Sequence, residues 1–539
     1  MNLVFSLWIV LLMLLLPARA AAPQSPENQV FQFMTTQSLT ASNKKTRAAT
    51  AYLWIPPECR RLRGVLVAGQ NVPEHWLVGH PAIRQACAAS DLAILWCCPS
   101  FFDPAIPDGY HHVKFIQQIL DALAAQSGYD ELATIPWLPI GESMHLQMVM
   151  QILKARPERC IAGIQVKNAI LNPPATGVPM LLAIGTTCEW DQEKVDMLNQ
   201  WKTVGQYAGL QRQRTATPTW PCSLLVEGGS GHFECTEPMA RYIAQYIRAA
   251  AKARLSSDGS PTLQPVNLDQ GYVAGLPVPG GKVVEPVPYR DCPPELRNLP
   301  WFFDEPLAKA ALAMADIRWS AQTQVPVFAD ASGKAIPFGW RGIFSPLPYT
   351  TDADGVTFQL HSTFLDKIPD GWVHAGTVLG HAPGLPVVDW ICGPVASLGG
   401  NRFRIALDRS WQHTSAYIRV WHPGNDAYRQ GVQPGELKIT PNRSGKPQKI
   451  NFDAIPDLKA GTKELRLHAT SDAGMPVQFF VRAGPAEVHG DRLVFTAIPR
   501  RSKLPLTVTV AAWQWGRTAM PEVQTAEIVE RTFQIQAAR

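Results

Sequence analysis

The sequence contains no Cys-x-x-Cys pair and no His/Cys cluster at zinc-ligand spacing, which excludes the common structural zinc modules. Beyond its first residues it has no apolar run long enough to cross a bilayer, since a helical span needs about 20 residues. It has no long-range repeat and no low-complexity tract, so neither a solenoid nor a disordered tail is indicated. Net charge is only +5 over 539 residues. That argues against a dedicated nucleic-acid binder and points to no acidic partner.

What is present fits a multi-domain globular protein. The length is too great for one ordinary core, and two to four domains are expected. Hydrophobic residues make up 46% of the chain. Its 17 Trp and 47 Pro suit a β-rich, loop-rich exported protein, in which most Trp belong to the core and an exposed one could stack on a sugar ring. Leu3 to Leu16 is an almost unbroken apolar run followed by Pro17-Ala18-Arg19-Ala20. This reads as a signal peptide over residues 1–20, with an A-x-A cleavage site and a mature start at Ala21. The run is shorter than a bilayer span, and no Cys stands at the cleavage point for a lipid anchor. Export to the periplasm or the medium is the expectation, with no membrane association after cleavage. Ten Cys fit an oxidising compartment.

From about Val30 to Leu255 strand-like and helix-like segments alternate. Gly64-Val65-Leu66-Val67-Ala68 and Leu92-Ala93-Ile94-Leu95-Trp96-Cys97 read as buried strands. His111 to Gln126 is amphipathic, with Val113, Ile116, Ile119, Leu120 and Leu123 on one face. Strands follow near Ile135, Cys160, Pro179 and Ser223. Helices are predicted over 192–205 and over Glu237 to Leu255. This is the pattern of an α/β domain, a parallel sheet with helices on both faces, over 21–255. Residues 256–324 read as a linker and a helical extension, Pro306 to Ile317, packed on that domain. After 325 short alternating segments bounded by turn residues predict two all-β domains, 325–445 and 446–539, the second an immunoglobulin-like sandwich.

The chemistry concentrates in the first domain. Gly141-Glu142-Ser143-Met144-His145 follows an apolar strand and opens the helix-like run Leu146 to Leu153. Strand, Gly-x-Ser, helix is the arrangement of a nucleophile elbow, with Ser143 the nucleophile. A serine needs a positioned base, itself oriented by an acid. The base candidate is His232, in a glycine-rich loop after the Leu224 strand. The acid candidate is Glu189, with Asp191 as the alternative, both after the Leu181 strand; the residue not used suits a helix N-cap. An oxyanion hole would take the Met144 amide and a second donor from the loop after the Gly64 strand, Gln70 or Asn71.

Taken together, residues 52–255 resemble an α/β-hydrolase-fold serine hydrolase. The resemblance is carried by the Gly64 strand with its Gln70-Asn71 loop, the elbow at Ser143, Arg156-Pro157-Glu158-Arg159, the acid loop at Glu189 and Gly231-His232. It implies a Ser143–Glu189–His232 triad acting on carboxylic esters without metal or cofactor. His145 departs from the family pattern, where Gly normally allows close helix–strand packing. Its imidazole either occupies a roomier gap, reaches the substrate, or marks a degenerate site. Glu142 beside the nucleophile either touches substrate or faces solvent. If the acid and base loops meet, a Cys188–Cys235 disulfide would pin them.

The expected activity is that of a secreted serine esterase on a small ester or an acylated polysaccharide. The competing readings are a peptidase or amidase of the same fold, a silent hydrolase-fold binding protein, and an adhesion role for the β domains. Oligomeric state is not legible.

Overall fold

The computed structural model describes residues 29–40, 46–100, 102, 109–172, 177–186, 202–233, 235–279, 281–316, 319–339, 344–411 and 415–538. The predicted signal peptide, Glu189, Asp191 and Cys188 lie outside the described residues.

Eight strands form the first sheet: β1 Phe33–Thr40, β2 Thr46–Trp54, β3 Gly64–Ala68, β4 Leu92–Cys97, β5 Trp137–Glu142, β6 Gly163–Val166, β7 Met180–Gly185 and β8 Cys222–Glu227. Their order is β1-β2-β4-β3-β5-β6-β7-β8. Strands β3 to β8 are parallel, and β2 joins β4 antiparallel, extended by the β1–β2 hairpin. Strands β3, β4, β5, β6, β7 and β8 are buried along their whole length. They are therefore near-continuous apolar runs without polar alternation, as a sheet covered on both faces requires. The covering helices are α1 Val72–Gly79, α2 Pro81–Ala89, α3 Gly109–Ser127, α4 His145–Ala155, α5 Lys202–Ala216 and α6 Glu237–Arg254. This is the α/β-hydrolase architecture.

Two local readings differ from the structure. The β1–β2 hairpin has no counterpart in the sequence reading. Of the helix expected over 192–205, residues 192–201 lie outside the described residues, 202–205 are helical, and the helix runs on to Ala216 through a polar stretch with weak amphipathy.

The chain passes from β3 to β4 on one side and then crosses back to β5 on the other side of β3. The loops after β3 and β5 consequently leave in opposite directions and open a crevice at the carboxyl ends of these strands, the place where open α/β sheets bind ligands. Gln70 follows β3 and Ser143 follows β5, so both lie at that crevice.

A helix at Glu305–Ala315 packs on the first domain through Leu307, Ala308 and Ala311. The remaining chain is made of small β-sheets. In the last part a four-stranded sheet and a three-stranded sheet face each other, with Phe533 of one against Phe495 of the other (6.2 Å between ring centroids). The first β part is docked onto the hydrolase domain. Val72 of α1 belongs to the same apolar cluster as Phe328, Trp390 and Ile418. Beside it His75 Nε2 lies 3.1 Å from Asp408 Oδ2, both groups buried, with the His75 ring stacked on Trp96. Asp408 also accepts from Ser410 N–H (2.8 Å) and Oγ–H (2.6 Å).

Cys59, Cys87, Cys97, Cys98, Cys160, Cys222, Cys292 and Cys392 are buried free thiols. Burial pushes Cys87 and Cys160 up to about 12, so they act as small apolar core residues and not as nucleophiles.

Candidate active site

Strand β5 ends in Gly141-Glu142, and α4 must start at once to lie back on the sheet. The turn places Ser143 at φ +52°, a left-handed conformation that a side chain other than glycine adopts at a cost. Gly141 makes the turn possible, since a Cβ there would stand 2.5 Å from the His145 carbonyl oxygen. Ser143 N–H donates to the Val166 carbonyl at 3.2 Å, fastening the elbow to β6. The serine is left half-buried, its hydroxyl at the crevice.

His232 Nε2 is 2.8 Å from Ser143 Oγ, within the reach a general base requires. The ring is fully buried and sits edge-on to Phe233 (4.7 Å). Its loop is held from three sides. Buried Lys167, at the end of β6, bonds Ser230 Oγ and lies 3.3 Å from Glu227 Oε2. Thr186, just past β7, takes the Gly229 N–H on its hydroxyl (2.8 Å) and donates its own N–H to the Ser230 carbonyl (3.1 Å). The segment leading to Glu189 and Asp191 thus starts against the base loop; those two carboxylates, and Cys188, lie outside the described residues. Cys235 Sγ lies 3.5 Å from Met239 Sδ.

The third side comes from the β part of the chain. Phe233 stacks on Tyr417 (6.1 Å, 25° between planes) and meets Phe344 edge-on (5.6 Å). Gly229 is at φ +68°, and a Cβ there would stand 2.7 Å from Gln430. Burial pushes the Tyr417 hydroxyl well up, and nearby Glu436, Cys392 and Glu142 push it further. This phenol is a neutral wall element.

The two expected oxyanion segments lie at the crevice. Neither the Gln70 nor the Met144 amide donates to a protein acceptor among the described residues. Met144 is also half-exposed. The Asn71 side chain is committed elsewhere. It caps α1 through Val72 N–H (3.0 Å), and its Nδ2 donates to the Glu142 carbonyl (3.1 Å).

The expectations for Glu142 and His145 need correction. Glu142 is not solvent-facing: it is fully buried, with Oε1 3.5 Å from His232 Nε2. His145 is turned inward, away from the crevice. It is 3% exposed, with Nδ1 2.7 Å from Glu74 Oε1 and Nε2 3.0 Å from Ser100 Oγ. The room for its ring comes from Gly69, where a Cβ would fall 2.6 Å from His145 Cε1. The glycine that normally follows the nucleophile has in effect moved across the contact to the oxyanion loop. Gly69→Ala is expected to lower stability by about 1–3 kcal/mol through overpacking, read as a fall in thermal midpoint.

Sequence reasoning missed Glu74 and Ser100. The one signal for Glu74 is a carboxylate inside the apolar octet Val72-Pro73-Glu74-His75-Trp76-Leu77-Val78-Gly79, where an acid is unexpected without buried partners. Among the described residues no group of three or more His, Cys, Asp or Glu is arranged to hold a metal.

No family model and no curated protein sequence matches the chain. Solved structures do. An esterase from Pyrobaculum calidifontis is 12% identical, covering 42% of this chain and 88% of its own, with a TM-score of 0.28. An S-formylglutathione hydrolase from Agrobacterium tumefaciens is 13% identical, covering 41% and 94%, with a TM-score of 0.29. A poly(3-hydroxybutyrate) depolymerase from Bordetella parapertussis is 13% identical, covering 43% and 97%, with a TM-score of 0.28. These likenesses concern fold alone, and the fold itself rests on the sheet order and the strained elbow.

Proposed function

We propose that this α/β-hydrolase-fold protein is a serine hydrolase that cleaves carboxylic esters through an acyl-enzyme. The observation that carries the reading is His232 Nε2 at 2.8 Å from the hydroxyl of Ser143, a serine held at φ +52°. In the forward step His232 takes the hydroxyl proton as Ser143 Oγ bonds the acyl carbon. The oxyanion that develops is stabilised by the Met144 and Gln70 amides, and the alcohol leaves with the proton from His232. Water then repeats the sequence and frees the acid and Ser143. The triad acid is Glu189 or Asp191, from the loop that starts at Thr186. The proposed substrate is a small ester or an acyl group on a polysaccharide, and the proposed place of action is outside the cytoplasm. The apolar leader and the β domains docked beside the site support these finer points.

A fluorophosphonate probe is expected to label the wild type at one site, mapped to Ser143, and to leave Ser143→Ala unlabelled. Release of p-nitrophenol from a short-chain ester should follow the same pattern. Equal rates from wild type and variant would remove the esterase reading. Acetate release from an acetylated polysaccharide, compared with cleavage of a matched anilide, separates ester from amide substrates.

A further inference from the structure

Glu74 is fully buried, yet its carboxylate is not catalytic by position. Oε2 accepts from Gly69 N–H (2.7 Å), while Oε1 accepts from Glu142 N–H (2.8 Å) and faces His145 Nδ1 (2.7 Å). Such a group is costly to bury unless its lone pairs are met, and here three donors meet them. The donors come from two separate pieces of chain. Gly69 immediately precedes Gln70, and Glu142 and His145 bracket Met144. One carboxylate therefore ties together the neighbours of both amides assigned to the oxyanion hole.

The other side of the array is equally determined. With both Glu74 oxygens accepting, His145 Nδ1 carries the proton. The other ring nitrogen, Nε2, is hydrogen-bonded to Ser100 Oγ (3.0 Å), which also accepts Phe102 N–H (3.2 Å). Ser100 is thereby anchored beyond β4, on the far side of the oxyanion loop. The packing has no slack: a Cβ on Gly69 would also lie 2.9 Å from Ser100 Oγ. Glu74, His145 and Ser100 repeat the order of a serine triad. However, only Ser143 has the strained elbow backbone; Ser100 is not among the residues at positive φ.

We propose that Glu74, acting through His145, is the positioning residue of the oxyanion hole, holding the Gly69–Gln70 turn and the elbow in one fixed geometry. The inference rests on the serine-hydrolase reading above. Because the hole acts on charge that exists only in the transition state, loosening it should lower kcat and spare KM.

The test is Glu74→Gln in the full chain, which keeps the volume but replaces an acceptor with a donor facing backbone N–H. Per site titrated with fluorophosphonate, kcat should fall about 100-fold, with KM within about threefold. Affinity for a boronic acid transition-state analogue should fall in parallel, while that for the product acid stays unchanged. A merely structural role would reduce the number of titratable sites and leave kcat per site and boronate affinity intact, which would overturn the proposal. Labelling of Ser100 in Ser143→Ala would also overturn it, by making the array a second nucleophilic centre. Should Glu74→Gln fail to fold, a second variant removes one of the three donors. Because glutamine keeps an N–H donor, His145→Leu is the variant that takes the donor away, and it is expected to lower kcat per site about tenfold with the same boronate trend; an unchanged kcat in His145→Leu would count equally against the idea. A wild type that neither labels nor hydrolyses esters would sink the hydrolase reading and this inference with it.

Discussion

His232→Ala is expected to lower kcat on an activated ester by about four to six orders of magnitude. Loss of the base in a serine triad removes nearly the whole gain of the triad, because its members act as a unit. What remains is the hole and substrate binding. The structure adds a reason for the loop to keep its place without the imidazole: it is also fastened through Ser230, Gly229 and Thr186. Phosphonylation of Ser143 should slow by a comparable factor. Residual activity within tenfold of wild type would mean that another group takes the Ser143 proton.

Asp408→Asn is expected to cost about 2–4 kcal/mol at neutral pH, in the range found when one partner of a buried pair is removed. The thermal midpoint should fall by several degrees. Burial alone would raise the Asp408 carboxyl. The charge and hydrogen bond of His75 and the bonds from Ser410 outweigh burial and hold it below its ordinary value of 3.8. A carboxyl depressed in the folded state contributes stability that is fully present above 3.8 and is lost as pH falls through the folded value. Scanning calorimetry should therefore show wild type and Asp408→Asn well separated at pH 7 and converging below about pH 3.8. A constant gap across that window would mean that Asp408 acts through its hydrogen bonds and not through its charge. Glu74 is the neighbour of His75 on α1, so ester hydrolysis measured beside the melts would show whether weakening this contact also loosens the site.

Ser143 and His232 are legible in the sequence because strand, Gly-x-Ser and helix are contiguous, as are strand, glycine loop and His. Local pattern also carries the parallel sheet, whose buried strands are unbroken apolar runs. The brace under the site is not legible in this way. Glu74 and His145 are 71 residues apart and Ser100 and His145 are 45 apart, and no periodicity links them. His145 reads as a flaw in the motif because its compensation, Gly69, sits on another loop. The β1–β2 hairpin escapes notice because alternation at a sheet edge is weaker than a buried run, and the continuation of α5 past 205 because its polar surface blurs the helical period.

Gly229 has no Cβ in the place where Gln430 packs, and Phe233 leans on Tyr417 and Phe344. The curve of the loop that delivers His232 is thus moulded from outside the sheet that bears it. Residues 29–255 hold both Ser143 and His232, but a piece cut there would lose the contacts that shape the base loop. Those contacts come from Tyr417, in the strand Ser415–His422, and from Gln430, just before the strand Gly431–Lys438. A border between the first domain and the β part, natural when drawn along the chain, runs in space through the packing of the base loop.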